Sequence, residues 1–471
     1  MENLDLTSVP LHVTGHLAPV PDEIDAVDLP VEGALPPELV GRLLRNGPNP
    51  LPGEPSKHWL SGHGMVHGIR LEAGRARWYR NRWVRTSALQ GKEYMGPDGT
   101  IDLTAIEANT SVIAHAGKIL TLIEAGFPYE ITPELETLGS NDFGGRLTTA
   151  MTAHPKADPR TGELHFFGYA ATAPFVTYHK LSAAGELVTS APIDVPGPTM
   201  MHDFAITEQH AVFLDLPMTF NPQRIGHPLP YDWDESYGAR IGVMPLDRPG
   251  QVRWYDVDPA YVFHVGNAHT DPAGRVVLDA ARYAGEDAAL AWTGIGDPSA
   301  STGIPWHPDP AGPGVAAART GKARLHRWVL DPTTGRVTET TLDDRGIEFP
   351  TLDDDRVGRL ARYRYAVSGG DLHATAIVKL DAEAGVVAEH ALGRDVVAGE
   401  AVFVPSAASG RAEDDGWLLS VVNRRDGRGS KLLVLDATDV GGKPVASVTL
   451  PRRVPTGFHG SWITDEELDR S

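Results

Sequence analysis

Not one of the 471 residues is a cysteine, so neither a disulfide nor a thiolate metal site is available to this chain. That composition suits a reducing cytoplasm. Long hydrophobic runs are missing too: no stretch approaches the ~20 apolar residues that span a bilayer. The N-terminus, MENLDLTSVPLHV, lacks a basic segment followed by an apolar one, so no signal peptide is expected. Positive charge is scarce, with 42 Lys and Arg against 62 Asp and Glu and a net charge of −20. Such a field repels phosphate backbones and anionic headgroups alike. Nucleic acid is therefore not an expected partner, and any contact with a membrane must be hydrophobic. The expected location is the cytoplasm, with peripheral contact at the inner membrane face. A Gly-x-Gly-x-x-Gly turn between strand and helix is absent, as is a P-loop, so no nucleotide site is expected.

Turns are abundant. Glycine (50) and proline (38) make up about 19% of the chain, against an average near 12%. They recur in one plan, as in DPRTGELHFFGY (158–169), DPAGRVVLDAARY (271–283) and DPTTGRVTETTL (331–342). Asp opens the turn, Pro presets φ, Gly takes the positive φ, and a β-prone segment follows. Short strands are expected at KILTLIEAG (118–126), HAVFLDLPM (210–218), GWLLSVVNR (416–424) and SKLLVLDAT (430–438). Only PPELVGRLLRNG (36–47) reads as a short helix, with a single turn more at ITPELETLG (131–139). Many hairpins and few helices point to an all-β protein, whether sandwich, barrel or propeller. A propeller suits the length best. Seven blades would average about 67 residues, against roughly 40–45 for a minimal blade, leaving long connections on which a site can be built. With no linker or internal boundary, residues 1–471 read as one domain.

Among 19 histidines, four stand out by context: His154 in TAHPKADP, His202 in TMMHDFAIT, His264 closing WYDVDPAYVFH, and His459 in TGFHGSW. They lie too far apart for a local metal motif and meet only if separate strands converge, as the inner strands of a propeller do. His58, His63 and His67 cluster closely enough to suggest a second metal site but read as structural. His269, in NAHTD, reads as a solvated turn residue.

Those surroundings carry a resemblance. GRLLRNGPNP (41–50), HWLSGHGMVHGIRL (58–71), AHPKADPRTGEL, MHDFAIT, ARIGVMP (239–245), FHVGNA (263–268), EFPTLD (348–353), GEAVFVP (399–405), EDDGWLLSVV (413–422) and FHGSW occur in the order found in carotenoid cleavage oxygenases. The chain resembles that family nearly end to end. The resemblance implies a seven-bladed β-propeller with a cap of loops and short helices over the metal site. It also implies one Fe(2+) per subunit, held by His154, His202, His264 and His459 with no carboxylate ligand. Three glutamates would orient the ligands: Glu124 with His202, Glu348 with His264, and Glu400 with His459. Thr110, in ANTSV, matches the position whose methyl group crowds an open coordination site. Taken singly, these glutamates read equally well as surface carboxylates, and Thr110 as an ordinary strand residue.

The implied reaction is dioxygen-dependent cleavage of a carbon–carbon double bond into two carbonyl products. The alkene supplies the electrons, so no organic cofactor is expected, and the partners are a small hydrophobic alkene and O2. Phenol-cleaving relatives tend to carry a lysine where this chain has Ile123, which favours a carotenoid or apocarotenoid. A stilbene or phenylpropanoid substrate is the alternative on the same metal site. In the loop 220–242, Pro228, Leu229, Pro230 and Trp233 would either border an apolar tunnel mouth or simply pack a long loop. More distant readings are a metallohydrolase, an isomerase that keeps the iron, and a non-catalytic binding propeller. The last would not need the four histidines.

Overall fold

A computed structural model describes residues 11–56, 58–225, 229–285, 287–288, 322–369 and 374–469. Turn chemistry divides it into short strands. In the turns at 158–162 and 331–335, the Asp158 and Asp331 carboxylates accept the backbone N–H of Arg160 and Thr333. Gly162 and Gly335 close these turns at φ of 70° and 72°, a region that costs a residue with a Cβ.

The strands assemble into seven antiparallel sheets of four to six strands, with one separate two-stranded hairpin. In chain order these are blades 1 (25–83), 2 (111–140), 3 (156–193), 4 (205–256), 5 (260–341), 6 (347–391) and 7 (396–449). Both chain ends close the ring. The C-terminal strand Gly460–Thr464 pairs with Gly41–Pro48 to become the innermost strand of blade 1. Val31–Gly33, near the N-terminus, pairs with Ala446–Thr449 as the outer edge of blade 7. Asp465, just past the closing strand, receives Arg42 at 2.8 Å and Arg70 at 2.6 Å.

Burial follows position in the blade. Middle strands such as Val276–Ala284 and Gly416–Arg424 are buried on both faces, because neighbouring blades pack against each. Outer strands such as Leu187–Ile193 and Gly385–Ala391 alternate between inside and outside, as period-2 patterning requires. The 36–47 segment is a correction to the helix reading. Gly41–Pro48 is a strand, buried along nearly its whole length. Leu39, Leu43 and Leu44 have helix-like spacing, but burial on both faces accounts for that run equally well. Residues 131–139 likewise hold a β-turn followed by the strand Thr137–Ser140.

The hydrophobic clusters lie between blades. Ile463, on the closing strand, is 1% exposed and packs with Leu44, Val66, Val112, Ile119 and Tyr129 of blades 1 and 2. Replacing Ile463 with Ala should cost about 2–5 kcal/mol, read as a lower denaturant midpoint. Four buried histidines set the acid limit. Burial lowers His58, His165 and His179 from 6.5 to about 4, and His67 to about 3. Between those values and 6.5 the unfolded chain binds more protons than the folded one. Stability should therefore fall as pH drops below 6.5 and level off near 3–4, each histidine contributing up to about 1.4 kcal/mol per pH unit. Denaturant titrations at stepped pH check this.

Candidate metal centre

Each blade presents the start of its innermost strand to the axis at one end of the ring. Thr110 directly precedes Ser111–His115 of blade 2. His154 and His202 sit just before Lys156–Ala157 and Ala205–Ile206 of blades 3 and 4. His264 lies in Ala260–Thr270 of blade 5, and Glu348 in Ile347–Thr351 of blade 6. Glu400 directly precedes Ala401–Pro405 of blade 7, and His459 precedes Gly460–Thr464 of blade 1. Seven blades thus contribute one residue each, six at or just before a strand start and His264 further along its own strand. Glu124 alone comes from elsewhere, on the turn after the strand Lys118–Leu122.

Two of these strands are bent to aim their side chains. The ladder register shifts between Val262 and Val265, the interval that contains His264, and again between Val265 and Asn267. Another shift, between Glu348 and Thr351, contains Phe349 at φ 52°. That conformation is costly for an aromatic residue, and such bulges re-aim side chains beside sites. Here it stacks the Phe349 ring on His264, with centroids 4.8 Å apart.

The four imidazoles converge. His154 Nε2 and His202 Nε2 are 3.0 Å apart, and His264 Nε2 and His459 Nε2 are 3.1 Å apart. The ring nitrogens of His154, His202 and His264 all lie within 4.8 Å of one another. The far ring nitrogen of three histidines meets a carboxylate. His264 Nδ1 donates to Glu348 Oε2 at 2.6 Å, His459 Nδ1 donates to Glu400 Oε1 at 2.9 Å, and His202 Nδ1 contacts Glu124 Oε1. All three expected pairings are present. The carboxylates are supported in turn: Phe349 N–H donates to Glu348, Gly460 N–H to Glu400, and the Tyr169 hydroxyl to Glu124.

Tautomers follow from these partners. An ionised carboxylate only accepts, so it holds the proton on Nδ1 and leaves a lone pair on Nε2. The Nε2 lone pairs of His264 and His459 then face each other at 3.1 Å with no donor between them. A cation resolves that repulsion, and the donor set suits a divalent transition metal. Titration behaviour agrees. Burial and the neighbouring imidazoles hold His154 and His264 well below the ordinary histidine value, so both stay neutral and ready to ligate. Burial would lower His202 as well, but the Glu124 carboxylate outweighs it and raises that imidazole. Burial pushes Glu348 up to about 7. Glu400 stays below its ordinary value because His459 and the Gly460 N–H outweigh its burial.

Thr110 sits beside this set. Its carbonyl accepts the His459 N–H at 3.3 Å, and its hydroxyl donates to Asn109 Oδ1 at 3.1 Å. His58, His63 and His67 form no metal group among the described residues: His67 bonds Tyr79, His58 accepts the Leu60 N–H, and His63 faces Glu54. His269 is a second correction. It lies within an inner strand and is buried, because that strand runs past the turn-like NAHTD sequence. Leu229 and Trp233 pack against the core between blades 4 and 5, the plainer of the two readings for that loop; Pro228 lies outside the described residues. Sequence reasoning missed Tyr169, Phe349, Lys156 and Asp203. The last two stand in the quoted motifs AHPKADP and MHDFAIT, where a charge close to each histidine was the available signal.

A propeller whose inner strands gather four histidines, three of them braced by glutamates, offers a set of donors able to hold a metal ion. The chain matches the family described as retinal pigment epithelial membrane protein over residues 17–464. It is 37% identical to a carotenoid cleavage oxygenase of Mycobacterium tuberculosis, across 96% of this chain and 97% of the relative. It is 32% identical to an isoeugenol monooxygenase of Pseudomonas nitroreducens, across 96% and 97%. Among solved structures, the apocarotenoid oxygenase of Synechocystis superposes with a TM-score of 0.80 at 28% identity, covering 95% and 97%. The lignostilbene dioxygenase of Pseudomonas brassicacearum gives 0.82 at 28%, covering 97% and 98%. The chain belongs to the carotenoid cleavage oxygenase family and is an oxygenase-type enzyme.

If the carboxylates orient the ligands, Glu348→Gln or Glu400→Gln should weaken metal binding about 10–100-fold. Competition titration of the metal-free protein measures it.

Proposed function

We propose that the chain is an iron(II)-dependent dioxygenase that cleaves one double bond of a carotenoid or apocarotenoid with O2, giving two aldehyde or ketone fragments. The observation that carries this is the donor set: four convergent imidazoles, three with their protons held outward by Glu124, Glu348 and Glu400, in a chain of this family. His154, His202, His264 and His459 would hold the iron. When bound, iron supplies the site at which dioxygen is activated. The chain's own residues do the rest. The glutamates fix the imidazole tautomers, and Phe349 and Phe263 pack apolar rings against His264 and His202. Thr110 borders one open position. Both oxygen atoms end in the products and both electron pairs of the double bond are used, so no separate reductant is required.

Ile123 supports the polyene reading. It is half-buried and packs with the apolar cluster of Val112 and Ile119, leaving no charge beside Glu124 for a phenolate. The carotenoid names of the relatives from Mycobacterium tuberculosis and Arabidopsis thaliana support it as well. A lipid-soluble substrate also suits an enzyme of the cytoplasm that touches the inner membrane face peripherally. Tyr94, Met95, Ile101 and Ile225 are exposed on connections at the site-bearing end. Among the described residues, no helix is long and apolar enough to cross a membrane.

One observation favours a second reading. Tyr169 donates to Glu124, and burial, with the Glu124 charge added to it, raises the hydroxyls of Tyr231 and Tyr261. Such a polar patch would accept a phenolic alkene of the stilbene or phenylpropanoid type.

Oxygen uptake by the iron(II)-loaded protein with an apocarotenal and a hydroxystilbene, side by side, tests both. Uptake with the apocarotenal and two carbonyl products by mass is the expected result. Uptake confined to the hydroxystilbene would shift the substrate class and leave the reaction standing. No uptake with either at full iron occupancy would count against the oxygenase reading of this site. His264→Ala should abolish both uptake and metal binding.

A further inference from the structure

Beside the ligands lies a carboxylate that none of the roles above uses. Asp203 follows His202 directly and is 2% exposed. Its three partners come from three different blades. Oδ1 receives the Lys156 ammonium of blade 3 at 2.7 Å and the Phe204 N–H at the start of blade 4 at 2.7 Å. Oδ2 receives the Val265 N–H of blade 5 at 2.7 Å. Every one of these residues stands one or two positions from a candidate ligand: Lys156 from His154, Asp203 and Phe204 from His202, and Val265 from His264.

Taking this carboxylate out of water is costly, and only its full set of donors offsets the cost. An apolar contact between the blades would hold them together without that cost, so burial alone does not explain a charge here. What the charge adds is direction. Two short bonds that cross to neighbouring blades, with a third to the adjacent Phe204 N–H fixing the carboxylate, leave these strands little freedom to slide past one another. The Val265 bond also falls inside the bulge that turns His264 to the axis. We propose that Asp203, with Lys156, is a positioning residue for the metal centre: it sets the relative placement of His154, His202 and His264, and thereby metal affinity and ligand-field geometry. This rests on the reading that those histidines hold a metal.

Asparagine at 203 is nearly isosteric but offers one acceptor oxygen, so one of the donors would face an NH2 group. Asp279 provides a matched control. It is 1% exposed and ties blade 5 to blade 6 through Arg364 at 2.8 Å, while Arg327 of its own blade bonds it at 2.7 Å.

The experiment uses cobalt(II) as a probe on the full chain, recording affinity by titration, the visible d–d spectrum and the unfolding midpoint. Asp203→Asn should bind cobalt about 10–100-fold more weakly, with a changed spectrum. Lys156→Met, which removes only the blade 3 arm and covers the case in which Asp203→Asn does not fold, should show a smaller change of the same kind. Asp279→Asn should lower the unfolding midpoint and leave affinity and spectrum as in the wild type. Wild-type affinity and spectrum in the folded Asp203 and Lys156 variants would overturn the proposal, as would an equal loss in Asp279→Asn. A wild-type protein that binds no cobalt or iron would overturn the metal reading itself.

Discussion

Everything at the axis depends on one constraint: seven innermost strands must begin at the same height around a common centre. Apolar packing between blades does not set that height, because it is tolerant of sliding. Directional bonds do, and they run from blade to blade around the whole ring. Ser461 donates to the Val112 carbonyl, and Ser111 to the Ala153 carbonyl. Lys156 and the Val265 N–H both reach Asp203. His264 donates to Glu348, Thr351 to the Ala401 carbonyl, and the Gly460 N–H to Glu400. That circuit returns to the blade where it began. One of its links orients His264 directly and another holds Glu400, which in turn bonds His459, so closing the ring and shaping the centre are one structural event.

Charge reinforces this arrangement. Glu348 and Glu400 are carboxylates placed where burial disfavours their ionised forms. Each is compensated by an imidazole N–H and a backbone N–H, and a bound dication would complete the compensation. The centre is therefore built to be most favourable when loaded. Four imidazoles brought within contact, with the lone pairs of His264 and His459 facing each other, make an unfavourable arrangement, and the surrounding strands hold it in place. Phe349 is a local instance: its backbone is held at positive φ so that its ring can lie on His264.

Sequence reading reached most of the centre but not its supports. The four histidines and three glutamates stand in distinctive local strings, and Glu124, Glu348 and Glu400 lie against His202, His264 and His459. Asp203 and Lys156 were in view in the same strings, yet their roles depend on Val265, which belongs to another blade. Tyr169 ends an ordinary strand sequence, and nothing local marks it as the donor to Glu124. The 36–47 segment, which holds most of the strand Gly41–Pro48, misread as helix for a related reason. A strand buried on both faces has no period-2 pattern, and apolar spacing alone then favours the wrong element.

By itself the sequence determined the class of fold and the chemistry on offer. Asp, Pro and Gly in repeated turns dictate short antiparallel strands through their preferred φ and hydrogen bonds. The absence of cysteine removes thiolate from the possible metal ligands. Only the tertiary structure decided that the chosen histidines meet, because residues on separate blades become neighbours only when the ring closes through Gly460–Thr464. It also decided which nitrogen of each imidazole faces the axis. A tautomer is set by the group that accepts the other proton, and that group is supplied from a distant part of the chain.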